Sequence, residues 1–370
     1  MEEKFEVDAE DLAQESSTFK EAARRSQTLW EDLPRHPEKY RVLTGERPTG
    51  PLHIGHLFGT LANRVAIQAL GATTFIVIAD YQVLTDRDTA QAVGENVREV
   101  ILDYLASGLD PDNGRTFFFS HSHIPELNQL LLPFMSLVTT AELDRNPTVK
   151  EEIKAAGLRT VNALMYTYPM HQAADILFCK GNVVPVGRDQ LPHLELTRKI
   201  ARRFNDRFAP EAPIFPIPDA LLSDFPLVLG TDGQKMSKSR GNTIMLKMTA
   251  DETAKAIKGA KTDPDRCIAY DPQNRPEVAN LLRLIGICSQ RAPEAVAQDI
   301  GNGGAGKLKA ALTEALNEHL APMRERRARF QQDPAYVQDV LRRGVARARE
   351  EAVRTLKEVR KAMNMDHGLD

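Results

Sequence analysis

A doubly wound parallel α/β sheet followed by an all-α C-terminal domain is the fold class this sequence predicts, and three observations predict it. A strand, a glycine-rich loop, a helix and a strand buried on both faces follow one another from residue 40. Two more apolar segments carry the alternation to Gly187. From Thr249 onward the strand pattern stops, and Ala-, Leu-, Arg- and Glu-rich helical sequence takes over.

Residues 1–39 lack the strand pattern and read as an N-terminal extension, although Phe19 to Leu33 can form an amphipathic helix before Pro34 and Pro37 interrupt it. Tyr40 to Leu43 reads as the first strand and Gly45 to Pro51 as a turn-rich loop. Leu57, Leu61 and Val65 recur at helical spacing. TTFIVIAD, Thr73 to Asp80, is β-branched and apolar, as a doubly covered strand requires. RTFFFSH, Arg115 to His121, and NVVPVG, ending at Gly187, continue the series. Asp189 then suits the cap of a helix carrying Leu194 and Ala201, and Pro226 to Leu229 reads as a further strand. The domain change falls near Met248, dividing the chain into an extension (1–39), an α/β domain (40–248) and a helical domain (249–370).

The chain has 370 residues, 42% of them hydrophobic, enough for two domains with sizeable cores and too polar for a membrane protein. Its acidic start, MEEKFEVDAEDLAQESS, fits neither a secretory signal nor a basic transit peptide, so a cytoplasmic location is expected. Cys179, Cys267 and Cys288 are scattered without C-x-x-C pairing, which argues against a disulfide framework or a zinc ribbon. No cluster has zinc-ligand spacing, and no resident metal is expected. The net charge of −3 gives no bulk positive field, yet Met323 to Ala362 carries twelve Arg or Lys against six Asp or Glu, a local net of +6.

The chemistry concentrates in two loops. TGERPTGPLHIGHLFGTL, Thr44 to Leu61, places His53 and His56 at the start of the first helix, where a doubly wound sheet has its anion site. Imidazole N–H groups there can donate to phosphate oxygens, and Gly55 between them clears space for a flat base. Neither G-x-G-x-x-G nor G-x-x-x-x-G-K-[ST] is present in this stretch. The second loop, GQKMSKSRGN, Gly233 to Asn242, brings Lys235 and Lys238 as point charges for a leaving pyrophosphate, with Ser237 and Ser239 as neutral donors.

HIGH at 53–56 together with KMSKS at 235–239 resembles the class I aminoacyl-tRNA synthetases, specifically their tyrosyl/tryptophanyl subclass, over roughly residues 40 to 366. The resemblance implies a Rossmann-like catalytic domain, a helical tRNA anticodon-binding domain, ATP with its Mg²⁺ as substrate, and a homodimer. No large insertion separates the motifs, so there is little room for an editing module. That suits a bulky amino acid which a shaped pocket discriminates unaided.

The choice between tyrosine and tryptophan rests on Thr167 to Arg198. Gln172 and Asp175 lie i, i+3 on a predicted helix and can face one pocket. An indole presents one N–H and no acceptor, so its site must supply an acceptor, and Asp175 is suited to that role. Chemistry alone admits a tyrosine hydroxyl there as well. The wording YP…AADIL, VPVG.DQ..H.ELTR and TDPDRCIAYDP is similar to tryptophanyl-tRNA synthetases.

That similarity implies that Tyr168 and Gln190 hold the substrate's amino group, with Gly45, Val184 and Val186 beside the indole. Gly187, Arg188 and Asp189 would lie against ribose or adenine, and Arg47, Pro48 and Thr49 would meet the triphosphate. Met236 and Gly55 complete the nucleotide site. The sequence departs from many bacterial members, which have methionine at the position of Gln172, threonine at His53 and asparagine at His56. His121 and His123 are expected in an ordinary loop role, and His193 as a residue that orients its neighbours.

The expected activity is tryptophan–tRNA ligation, with L-tryptophan, ATP and tRNA(Trp) as substrates, and the basic stretch Arg324 to Lys361 then reads as contributing phosphate contacts. Two alternatives stay open on the sequence: a tyrosine-specific enzyme of the same architecture, and a synthetase-like regulatory or binding paralogue that uses residues 1–39.

Overall fold

The computed structural model describes residues 17–85, 90–156, 161–187, 190–222 and 227–369. β2 (Thr73–Ile78) and β3 (Thr116–Ser120) are rich in β-branched and aromatic residues, which fit a pleated layer covered on both faces, and β1 (Arg41–Glu46) buries Val42, Leu43 and Thr44 beside them. With β4 (Val183–Val186) and β5 (Asp219–Leu222) they form a five-stranded parallel sheet in the order β3-β2-β1-β4-β5. The chain winds outward from β1 through β2 to β3, then crosses back to place β4 beside β1. The carboxyl ends of β1 and β4 therefore flank the point where the winding reverses, the usual ligand crevice of such sheets.

Two differences from the sequence reading follow from packing. β1 runs through Glu46, so Gly45 belongs to a strand rather than to the loop. A side chain there would meet the Val77 carbonyl at 2.1 Å, which is why the position is glycine. The strand expected over Pro226 to Leu229 is not the one that completes the sheet. Pro226 lies outside the described residues, Leu229 makes only an isolated antiparallel bridge to Lys235, and the added strand is Asp219–Leu222. The cap assigned to Asp189 also lies outside the described residues, and the helix after β4 spans Leu191–Phe208.

The helix Ser17–Asp32 covers the outer strand β5. Ser26 Oγ accepts from the Leu222 amide at 2.8 Å, the Trp30 indole donates to the Leu222 carbonyl at 3.5 Å, and Leu33 is buried with Val42, Ile67, Val183 and Leu221. The described part of the extension is thus built into the sheet's own core.

At the other end, Gly304–Gln331 lies along the helix Val93–Ser107, with Arg327 held between Asp103 and Glu99 at 2.8 Å each. The last helix, Pro334–Ala362, returns to β3. One apolar cluster runs without a break from Leu52 and Phe118 through Leu246 to Leu312 and Val340, across residue 248. The basic stretch read as a phosphate-binding face is largely committed within the chain. Arg343 pairs with Asp112 at 2.7 Å, Arg349 with Glu126 at 3.0 Å and Arg347 with Glu350 at 2.9 Å, while Arg360 donates to Gln129 at 2.7 Å. Arg343, Arg349 and Arg360 tie the last helix to the segments on either side of β3, and Arg347–Glu350 is a pair within that helix, because long arginines on a helix facing acidic groups satisfy themselves locally before any partner arrives.

Candidate active site

The two signature loops, some 180 residues apart in the chain, form one hydrogen-bonded unit. Leu246 donates to the Leu52 carbonyl at 2.9 Å and Ile54 to the Ile244 carbonyl at 3.0 Å, a short antiparallel bridge that brackets His53 and Met245. Met236 is buried against Gly55, where an added Cβ would sit 2.9 Å from the His53 ring and 3.8 Å from Met236. Lys238 Nζ donates to the Gly50 carbonyl at 2.7 Å and to Thr49 Oγ1 at 3.2 Å. Asn242 shapes the second loop from inside. Its Oδ1 accepts from the Ser237 amide at 2.8 Å, and its Nδ2 donates to Asp232 at 2.7 Å and to the Lys235 carbonyl at 3.1 Å.

The histidine rings lie 3.8 Å apart. The His53 amide donates to His56 Nδ1 at 3.3 Å, which assigns the proton of a neutral His56 to Nε2 and leaves an N–H donor for the cavity that His56 lines. Burial, the neighbouring His56 and Lys238 push His53 down to about 3. Burial takes His56 down to about 4, with Lys238 and Arg64 adding to the effect and Glu46 opposing it. Both are therefore neutral donors at pH 7. Behind them Glu46 is held by Arg64 at 3.0 Å, Thr60 at 3.2 Å and the Tyr104 hydroxyl. Burial works to raise its carboxyl, yet the charges of Arg64 and His56 and these hydrogen bonds bring it to about 2.

These shifts fix a direction for acid stability. Unfolding returns each imidazole to its ordinary value near 6.5, so between that pH and about 4 the unfolded chain binds protons that the folded one refuses. Stability is complete above pH 6.5 and declines below it, and the contribution of Glu46 is lost in addition as pH falls from 4.5 towards 2. Thermal midpoints should fall steadily from pH 7 to pH 4, and His56→Gln should flatten that slope. A profile with the same slope in the variant would contradict the assignment.

A cavity of about 340 Å³ opens at the carboxyl ends of β1 and β4. Gly45, Tyr168, Gln172, Asp175, Val184, Val186 and Gln190, the set expected around the amino acid, all line it, as do Arg47, His56 and Gly187 from the nucleotide set. Pro48, Thr49, Gly55 and the loop 235–239 do not line it and stand behind or beside it, joined through Lys238 and Met236. Arg188 and Asp189 lie outside the described residues.

The sequence reading missed Glu46, Thr60, Arg64, Gln82 and Thr85, which also line the cavity. His56, Thr60 and Arg64 step by four along one helix, a periodicity that could have flagged them. The step is interrupted by a π-turn over Leu57–Leu61 that a regular 3.6-residue reading does not foresee. Arg47 is steadied by Thr85 Oγ1 at 3.1 Å.

His193 does orient a neighbour. Its Nδ1 faces Asn146 Nδ2 at 3.2 Å and its Nε2 meets the Tyr168 hydroxyl at 2.8 Å, fixing that hydroxyl in the cavity wall. His123 keeps a loop role, bonded to Ser120 Oγ at 2.8 Å. His121 does not. The 3₁₀ turn His121–His123 at the end of β3 turns its ring inward, where it is buried with Nε2 at 2.8 Å from Asp175 Oδ1. The cavity thus joins a buried carboxylate at one end to a helix N-terminus with a neutral N–H donor at the other. It can hold a flat apolar group carrying a single donor and place an acid function near phosphate donors.

Comparison with known proteins agrees with this geometry. The family model "tRNA synthetases class I (W and Y)" matches residues 36–321. A tryptophan–tRNA ligase of Treponema pallidum is 41% identical over 332 residues, covering 88% of this chain and 97% of that one. One from Thermotoga maritima is 40% identical over 333 residues, covering 88% and 99%. A solved tryptophanyl-tRNA synthetase from Campylobacter jejuni, complexed with ADP and tryptophan, superposes with a TM-score of 0.74 at 28% identity, covering 88% of this chain and 99% of that one.

Proposed function

The chain belongs to the class I tRNA synthetases of the W and Y type, and from that premise we infer that it is a tryptophan–tRNA ligase: it activates L-tryptophan with ATP and transfers it to tRNA(Trp). The observation that carries the choice of amino acid is the 40–41% identity to tryptophan–tRNA ligases over 88% of the chain, and Asp175, a buried acceptor in the cavity wall with Val184 and Ile176 also in the lining, fits that choice. An indole N–H needs that acceptor and asks for nothing else at that end.

In the first step the tryptophan carboxylate attacks the α-phosphorus of Mg²⁺·ATP and pyrophosphate leaves. His56 donates from Nε2 to phosphate oxygens as their charge grows, and His53 supports it through its backbone N–H. Lys238, now resting on the Gly50 carbonyl, is within reach of the same loop and exchanges that contact for the departing phosphates, with Lys235 as its partner. Tyr168, aimed by His193, and Gln190 hold the ammonium, while Arg47 and Gly187 border the nucleotide. Positioning and electrostatics supply the rate, and no covalent enzyme intermediate is needed. In the second step the 3′-terminal adenosine hydroxyl attacks the activated carbonyl.

The reading extends to a homodimer in which tRNA spans two subunits, with residues 249–370 contributing anticodon contacts. Amino-acid-dependent pyrophosphate exchange tests the choice of substrate: exchange with tryptophan and none with tyrosine is expected, followed by charging of tRNA(Trp). Exchange driven by tyrosine would replace the assignment, and adenylate formation without charging would favour the regulatory alternative.

A further inference from the structure

Asp175 is a carboxylate with a side chain only 3% exposed, and a charge so buried needs compensation. Among the described residues no lysine or arginine is paired with it. Its near neighbours are two imidazoles. His121 comes from the end of β3 with Nε2 2.8 Å from Asp175 Oδ1, and His171 lies one helical turn before Asp175 with its ring centroid 4.4 Å from that of His121. Tyr81 stacks over His121 at 6.4 Å and closes the group on its outer side.

Three ligand-type side chains within 4.8 Å of one another invite a metal reading, and two observations decide against it. An ion at about 2.0–2.1 Å from both atoms in tetrahedral geometry would hold nitrogen and oxygen apart by well over 3 Å. The observed 2.8 Å is too short for two ligands of one such ion. Metal-bound histidines also anchor their second ring N–H, whereas His121 Nδ1 and both ring nitrogens of His171 have no hydrogen-bond partner among the described residues. The approach of His121 lies off the line of a well-formed hydrogen bond, so it acts by proximity on a carboxylate that must keep an oxygen for its ligand.

We propose that His121 is a positioning residue for amino-acid specificity: with its Nε2 packed against Oδ1 it keeps the Asp175 carboxylate oriented, so that Asp175 reads the indole N–H and rejects rings that lack one. The inference rests on Asp175 being the indole acceptor. Its consequence is separate from tryptophan affinity in general. Without His121 the buried carboxylate turns away, and the cavity keeps its shape while losing its preference for an N–H.

The test compares tryptophan with β-(3-benzothienyl)alanine, an isostere with sulfur in place of the N–H, in pyrophosphate exchange by the full-length enzyme. Gln places an amide nitrogen near the position of His Nε2, whereas Asn stops short at the position of Nδ1. Neither puts an apolar group against the charge. The wild type should prefer tryptophan by at least about 100-fold in kcat/KM, as expected for a site built around a buried hydrogen bond. His121→Asn should lower that preference to about tenfold or less through a raised tryptophan KM with kcat little changed, and His121→Gln should restore it.

Equal losses on both substrates, or a Gln variant no better than the Asn variant, would reduce His121 to a structural residue and overturn the proposal. Stoichiometric zinc in purified wild-type enzyme that is absent from His121→Asn would overturn it in favour of metal ligation. An Asp175→Ala arm separates the two levels of the argument. If Asp175→Ala lowers the preference and His121→Asn does not, only this inference fails. If neither does, the reading of Asp175 as indole acceptor fails first.

Discussion

Replacing Gly344 by alanine should destabilise the protein by about 3 kcal/mol or more, the upper end of what overpacking costs. The added methyl would lie 1.9 Å from the Phe118 carbonyl oxygen, 2.7 Å from its carbon and 2.8 Å from its nitrogen. All three are backbone atoms of β3, so no side chain can rotate aside. Either the strand bends or the last helix lifts away, and with it the fully buried Ala348 and Ala352 and the Thr355 hydroxyl, which donates to the Phe178 carbonyl at 2.6 Å. For a chain of this size the thermal midpoint should drop by roughly 4 °C. Gly306→Ala is the control. It lies in the helix Gly304–Gln331 with open space where the methyl would go, and should stabilise by about 0.5–1 kcal/mol. Equal, small effects at both sites would show that the last helix stands off the strand.

The second large effect is catalytic. His56→Ala should slow adenylate formation by about 10²–10³-fold, the usual cost of deleting one preorganised donor to developing charge, with tryptophan binding changed far less. His53→Ala should act in the same direction but more weakly, since the His53 side chain does not line the cavity and its link to His56 runs through the backbone amide. Pre-steady-state adenylate formation beside tryptophan binding measured by calorimetry separates the two steps. Equal loss in both measurements for His56→Ala would remove the phosphate-donor role from this histidine.

Much of the architecture was legible because it depends on local pattern. The runs of valine, isoleucine and phenylalanine in β2 and β3, the glycine-rich turn and the helical periods each specify themselves within a few residues, and the helix Ser17–Asp32 was readable from its amphipathic spacing. β5 was not, because DALL is four residues long, begins with an acid and follows prolines; it becomes a strand only because β4 and the N-terminal helix enclose it. His121 could not be paired with Asp175 from sequence. Fifty-four positions separate them, and only the sheet order brings the end of β3 to that helix. The basic C-terminal run showed its charge plainly but not its partners, since Asp112, Glu126 and Asp103 lie more than two hundred residues earlier.

The return of the last helix to β3 also bears on how the chain is made. Phe118 and Gly344 are 226 positions apart, so while the ribosome works through the intervening residues the newly formed strand has no cover along the surface where that helix will lie. During that interval the exposed strand is open to chaperones, and to wrong partners. A message truncated before the codon for Pro334 would release a polypeptide with both signature loops and all five strands translated and β3 left without the helix that covers it.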